Sequence, residues 1–180
     1  MNKIVAFVGM CGSGKSIGTD ILENNGWHKV YFGGVTYKKM AEEGIVRTPD
    51  SEREFREKLR QEYGPECYAK LLLPEIEEYV KEKNVVLDGL YSWYEYKYLK
   101  ENLKEDFKLI CVVTDKDVRY ERIANRPDRP FDNVKARERD LSEIENLYKG
   151  GPIAYADYYI LNNGTIDEYA TRLDEILEQI

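Results

Sequence analysis

Short aliphatic and β-branched runs alternate along this chain with longer stretches whose apolar positions recur at helical spacing. Lys3–Val8, the run near Val30–Phe32, Asn84–Asp88, Phe107–Val113 and Tyr158–Leu161 read as strands. A helix from about Lys15 to Asn24 follows the first strand, and Ile166, Leu173, Ile176, Leu177 and Ile180 fall at helical intervals in the last stretch. Strands joined by helix-length connections pair in parallel, and a parallel sheet is covered on both faces. The pattern therefore predicts the α/β class, with an open, doubly wound, five-stranded parallel sheet. Between the second and third strands, Asp50–Glu82 carries helical spacing broken near Gly64-Pro65 and predicts two helices. The wider interval 33–82 is either a helical insertion that binds a second ligand or a plain crossover on one face.

Composition narrows the class of protein. With 180 residues, 42% of them apolar, the chain fills one core and is expected to form a single domain over residues 1–180. A 34% charged fraction, a mean hydropathy of −0.63 and the lack of a long apolar run predict a soluble, cytoplasmic protein with no membrane span. The net charge of −7 and a pI near 5.0 argue against a nucleic-acid partner, which would need a basic face. Cys11, Cys67 and Cys111 are too widely spaced for a disulfide framework or a paired zinc site. His28 has no cysteine or acid at ligand spacing and reads as structural.

The segment Gly9-Met-Cys-Gly12-Ser13-Gly14-Lys15-Ser16 satisfies G-x-x-x-x-G-K-[ST], directly after an apolar strand and at the opening of a helix. Glycines let the backbone wrap closely around an anion, and the amides together with the helix N-terminus then face phosphate oxygens. Gly9, Gly12, Ser13, Gly14, Lys15 and Ser16 are thus the expected contacts to ATP. Lys15 reaches the β- and γ-phosphates, and Ser16 supplies a hydroxyl to Mg²⁺. Cys11, at a variable position of the loop, reads as a small filler.

Asp88 ends an apolar strand, where open α/β sheets place their ligands. It can join the Mg²⁺ shell, accept a proton from an attacking hydroxyl, or cap the next helix. The tyrosine-rich stretch Tyr91–Tyr98 can line a base-binding pocket or pack a core. Arg119, Arg122 and Arg126 recur at i, i+3 and i+7, and Arg129, Arg137 and Arg139 follow. As a group they suggest a lid over residues 127–140 that closes on a transferring phosphoryl group, with Arg122, Arg126 and Arg129 as catalytic candidates; surface ion pairs are the competing account.

Loop, Asp88-Gly89, arginine segment and the tail Ala156-Asp157-Tyr-Tyr-Ile-Leu-Asn162-Asn163-Gly164 together resemble the P-loop kinases of the nucleoside monophosphate kinase group, dephospho-CoA kinase in particular and also adenylate-kinase-related proteins. The resemblance implies the P-loop NTP hydrolase fold, an ATP- and Mg²⁺-dependent phosphotransferase, and a small nucleotide-like acceptor, with the protein a monomer or homodimer. It places Asn163 and Gly164 beside the adenine, and through Leu59-Arg60-x-x-Tyr63-Gly64 it makes Arg60 an acceptor contact. Two departures bear on the acceptor. Dephospho-CoA kinases carry an Asp-Ala-Asp stretch where this chain reads Tyr31-Phe32-Gly33-Gly34-Val35-Thr36, and adenylate kinases carry an arginine where Leu90, Tyr91 and Ser92 stand. An acceptor phosphate then falls to Lys38, Arg53, Arg56, Arg60 or Arg137. Two competing classes are a regulatory NTP-hydrolysing switch and a nucleic-acid-modifying kinase; net charge weighs against the second.

Overall fold

The centre of the sheet is β1 (Ile4–Val8), buried along its whole length, in a computed structural model that describes residues 2–103, 107–127 and 130–180. Its alternation feeds two cores. Ile4, Ala6 and Val8 point to one face with Leu87, Leu109 and Cys111, while Val5 and Phe7 point to the other with Val86, Ile110 and Ile160. The first face is covered by α2 (Phe32–Glu42), α4 (Cys67–Tyr79) and α5 (Trp93–Leu103), and the second by α1 (Lys15–Asn24) and α9 (Ile166–Leu177). Each face of a parallel sheet must be covered in this way, which explains why the central strand is apolar at every position.

With β2 (His28–Tyr31), β3 (Val85–Asp88), β4 (Phe107–Val113) and β5 (Tyr158–Leu161), the sheet runs β2-β3-β1-β4-β5, parallel throughout. The chain leaves β1 for the edge strand, returns to β3 beside β1, and then crosses to β4 on the other side. Strand order reverses at β1, and ligands in such sheets lie beyond the carboxyl ends at that point.

The second strand ends earlier than its sequence suggests. Tyr31 pairs with Asp88, the last residue of β3, and Gly89 then turns away at φ +106°, so Phe32 has no strand to extend along. It starts α2 instead and buries its ring in the core. The interval 33–82 accordingly holds most of α2 as well as the two expected helices, α3 (Pro49–Tyr63) and α4. Thr48 and Ser51 form a reciprocal capping box at the start of α3 with Pro49 at its first turn, and Gly64 at φ +91° ends it.

The second half adds α6 (Lys116–Ala124), α7 (Asn133–Glu145) and α8 (Gly150–Ala154). Asp132 caps α7 through Lys135 N (2.8 Å), and Thr165 with Glu168 caps α9. The His28 ring stacks on Tyr79 with 3.4 Å between centroids, and its Nε2 lies 3.4 Å from Glu75, a packing role at the start of β2. Among the described residues no helix is long and apolar enough to cross a membrane.

Candidate active site

Where β1 gives way to α1, the glycine-rich loop takes a conformation that side chains resist. Gly9, Gly12 and Gly14 have φ of +148°, +83° and +93°. A β-carbon on Gly9 would meet the Val112 carbonyl, on Gly12 the Arg119 carbonyl, and on Gly14 the Asn162 amide. The loop is held from behind by its neighbours: the buried Ser13 carbonyl accepts from Thr114 Oγ1 (3.0 Å) and Asn162 Nδ2 (2.8 Å). No side chain caps α1, so its N-terminal amides are left to a ligand, and buried Ser13 Oγ has no hydrogen-bond partner among the described residues. An amide-lined loop that only glycine lets pack this closely against its neighbours suits a polyphosphate.

Lys15 folds back over the loop, its Nζ donating to the carbonyls of Gly9 (2.8 Å) and Met10 (3.0 Å). Burial, reinforced by the ammonium of Lys149, pulls its pKa down to about 7, although Glu143, Cys11 and Asp88 act in the opposite direction. Ser16 opens α1 with an exposed hydroxyl, and Asp88 closes the adjacent β3. Burial raises the Asp88 carboxyl, against the pull of Lys29, 4.0 Å away, and of Lys15. Two hard oxygen donors flanking a phosphate cradle fit Mg²⁺, which takes few protein ligands and completes its shell from phosphates and water. Among the described residues no cluster of three His, Cys, Asp or Glu stands ready to hold a metal without a ligand.

The arginine segment is arranged differently from a set of free cations. Arg119 is buried and forms a two-pronged pair with Asp140 of α7 (3.0 and 2.7 Å), while its Nη1 also donates to the Cys11 carbonyl (2.8 Å). Arg122 donates to the Asn162 carbonyl (2.9 Å), and Arg126 lies exposed with Nη1 3.7 Å from Cys11 Sγ. The helical spacing is correct, but the group does not project together over a ligand: a guanidinium shielded from water needs a carboxylate, and Asp140, distant in sequence, supplies it. Arg129 lies outside the described residues.

Asn163 accepts from the Asp115 amide (2.9 Å) and so ties the β5–α9 turn, with exposed Gly164 beside it, to the start of α6. Its neighbour Asn162 has the closer link to the loop. The tail motif contains both asparagines, but nothing in the sequence tells which side chain turns inward.

Beside the loop, under α2 and α3, opens a cavity of about 730 Å³. Arg53, Arg56, Arg60 and Arg139 line it together with Tyr31, Tyr37, Tyr68, Tyr91, Glu52 and Glu143. Arg53 pairs with Asp50 (3.5 Å) and Arg56 with Glu52 (3.5 Å). Arg60 lies over the Tyr68 ring, 5.4 Å from its centroid, with no carboxylate at ion-pair distance among the described residues. Lys38 and Arg137 are exposed and do not line the cavity; each stands on an outward face of its helix, and two positions beyond Arg137 it is Arg139 that turns inward. The aromatic stretch divides: Tyr91 faces the cavity, whereas Tyr96 is buried in the core against Trp93 and Phe107.

Glu143 is the carboxylate at the loop end of this cavity. Its Oε1 accepts from Arg139 Nε (2.9 Å) and its Oε2 from Lys149 Nζ (2.7 Å). Burial works to raise the carboxyl, but Lys149, Arg139 and Lys15 outweigh it and hold the group below the usual carboxylate range.

A family model described as an AAA domain matches residues 5–145. A UPF0200 protein of Methanococcus maripaludis is 32% identical over 181 residues, covering 99% of this chain and 97% of that protein. The chain belongs to the UPF0200 family. Among solved structures, a Thermus thermophilus protein superposes with a TM-score of 0.72 at 15% identity, covering 99% of this chain and 98% of that one. Shikimate kinase from Acinetobacter baumannii, solved in complex with shikimate, superposes at 0.63 with 18% identity, covering 99% and 95%. The UPF0200 chain thus has the P-loop NTPase fold in the form that kinases use, with the glycine-rich loop at the reversal of strand order and the cavity beyond the ends of β2 and β3.

Proposed function

We propose that this UPF0200 protein is an ATP- and Mg²⁺-dependent phosphotransferase whose acceptor is a small, anionic, nucleotide-like molecule. The reading is carried by one juxtaposition: a phosphate cradle opens beside a cavity of about 730 Å³ walled by arginines and tyrosines. That volume falls in the usual range for a small-molecule site. Loop amides and the start of α1 hold the donor's phosphates, and Lys15 exchanges the carbonyls of Gly9 and Met10 for phosphate oxygens. Ser16 and Asp88 would hold Mg²⁺, which when bound would neutralise charge on the donor. With Mg²⁺ held through water, Asp88 would also take the proton of the attacking hydroxyl, since burial raises its carboxyl.

On the acceptor side, Arg60 offers an unpaired guanidinium to an anion, and the tyrosines offer flat surfaces to a ring. Arg122 and Arg126 are the lid-side cations linked to the loop, through the Asn162 carbonyl and Cys11, and Arg129 belongs to the segment expected to close and exclude water. Asn163 and Gly164 border the adenine. The resemblance of the loop, Asp88-Gly89, arginine segment and tail ranks dephospho-CoA first, its diphosphate for the arginines and its adenosine for the tyrosines, with a nucleoside monophosphate as the alternative. The test is a screen of these acceptors for accelerated ADP release, with Lys15→Ala as the blank. One acceptor of this class should raise release well above the blank. ATP turnover indifferent to every acceptor would replace the kinase reading with that of a regulatory NTPase.

A further inference from the structure

Lys149 is a lysine in a loop, yet its side chain is fully enclosed, with 0% exposure. Tyr148 before it takes φ +51°, a left-handed conformation that residues other than glycine seldom adopt, and the Lys149 amide donates to the Glu143 carbonyl (3.1 Å). This folded-back turn delivers the ammonium to Glu143 Oε2 (2.7 Å) and under the Tyr91 ring, 4.7 Å from its centroid. The other oxygen of the same carboxylate holds Arg139, whose guanidinium lines the cavity. Lys15 of the phosphate cradle feels the charge of both Lys149 and Glu143, with Asp88 and Cys11 as its other charged or titratable neighbours; Cys11 and Arg139 also act on Lys149.

Packing alone does not account for a buried ion pair, because apolar residues of similar volume often fill such a space without loss of stability. Here two cations, Lys149 and Arg139, share one glutamate at the cavity wall, and Lys15 of the cradle is near enough to feel the charges of Lys149 and Glu143. The surplus positive charge is complementary to a group bearing several anionic oxygens, as a phosphoryl group does in transit. We propose that Lys149 is a positioning residue for phosphoryl transfer: through Glu143 it fixes Arg139 in the cavity wall, and it sets a second, immobile ammonium behind Lys15. The inference rests on the phosphotransferase reading and adds to it a residue that neither the loop motif nor the lid pattern includes.

Basal hydrolysis of Mg·ATP, with water as acceptor, tests this without knowledge of the physiological acceptor. Lys149→Met should lower kcat by ~10-fold or more while the Kd for Mg·ATP stays within about 3-fold, because fixed charge acts on the transition state rather than on donor binding. Capture of Mg·ADP with aluminium fluoride, a mimic of the transferring group, should weaken in parallel, and Lys149→Arg, which keeps the charge, should restore most of both. Should Lys149→Met fail to fold, Arg139→Gln on the half-exposed face of α7 decides, with the same fall in kcat expected at unchanged Kd. Wild-type kcat and fluoride capture in Lys149→Met, or in Arg139→Gln where the first does not fold, would overturn the proposal. Wild-type protein that binds no Mg·ATP would instead overturn the phosphotransferase reading beneath it.

Discussion

At Gly14 the backbone stands at φ +93°, and a β-carbon would run into the Asn162 amide that braces Ser13. Gly14→Ala should therefore weaken Mg·ATP binding sharply, as read by calorimetry. Asn162→Ala strands the buried Ser13 carbonyl with Thr114 alone and should cost ~1–3 kcal/mol in denaturant unfolding. Arg60→Ala removes the guanidinium offered to the acceptor. Charged hydrogen bonds contribute ~1.5–3 kcal/mol, so acceptor KM should rise ~10- to 100-fold with the Kd for Mg·ATP unchanged. The loop residues are legible in the sequence because phosphate binding demands a fixed spacing of glycine, lysine and serine. Asn162, Glu143 and Lys149 are not legible: an asparagine, a glutamate and a lysine on helices and turns look like solvated surface until the fold encloses them. Glu143 also has a pH signature. Its carboxyl is depressed in the folded protein, so the stability it contributes is complete above the ordinary glutamate range and is lost as pH falls through the folded value. Unfolding free energies of wild type and Glu143→Gln should accordingly converge at low pH, and a gap that persists through acid would contradict the assigned charge state.

Helix α7 links the two halves of the site. Asp140 reaches Arg119 and through it the Cys11 carbonyl, and one turn later Glu143 reaches Arg139 and Lys149. Asp140→Ala leaves a buried guanidinium without its carboxylate, a change that typically costs ~3–5 kcal/mol, and should lower both stability and nucleotide affinity. An unchanged midpoint in urea would show that the pair is solvated. The i, i+3, i+7 arginine pattern marked α6 as a functional helix, but a pattern along one helix cannot reveal a carboxylate contributed by another. The end of β2 was hidden for a similar reason: Phe32 has strand propensity, and only the stop of its partner strand at Asp88 turns it into the first residue of α2. The break that was legible, at Gly64, is written in local chemistry, by a glycine that takes positive φ.

Across the whole molecule, the parallel order β2-β3-β1-β4-β5 puts the ends of β1 and β3 side by side, which brings Ser16 and Asp88 together from opposite ends of the first half of the chain. Although the chain carries a net charge of −7, four arginines line one cavity, so local rather than net charge defines the site. Alternating apolar runs made this architecture legible, whereas the arginine-lined cavity is assembled largely from α2, α3 and α7, where spacing carries little information about which faces meet. Calorimetric titration of wild type and Lys15→Ala with ATP in the presence of Mg²⁺ tests the central claim most directly. Saturable binding by the wild type and its loss or steep weakening in Lys15→Ala is the predicted result; no binding by the folded wild type, or equal binding by both, would contradict the account.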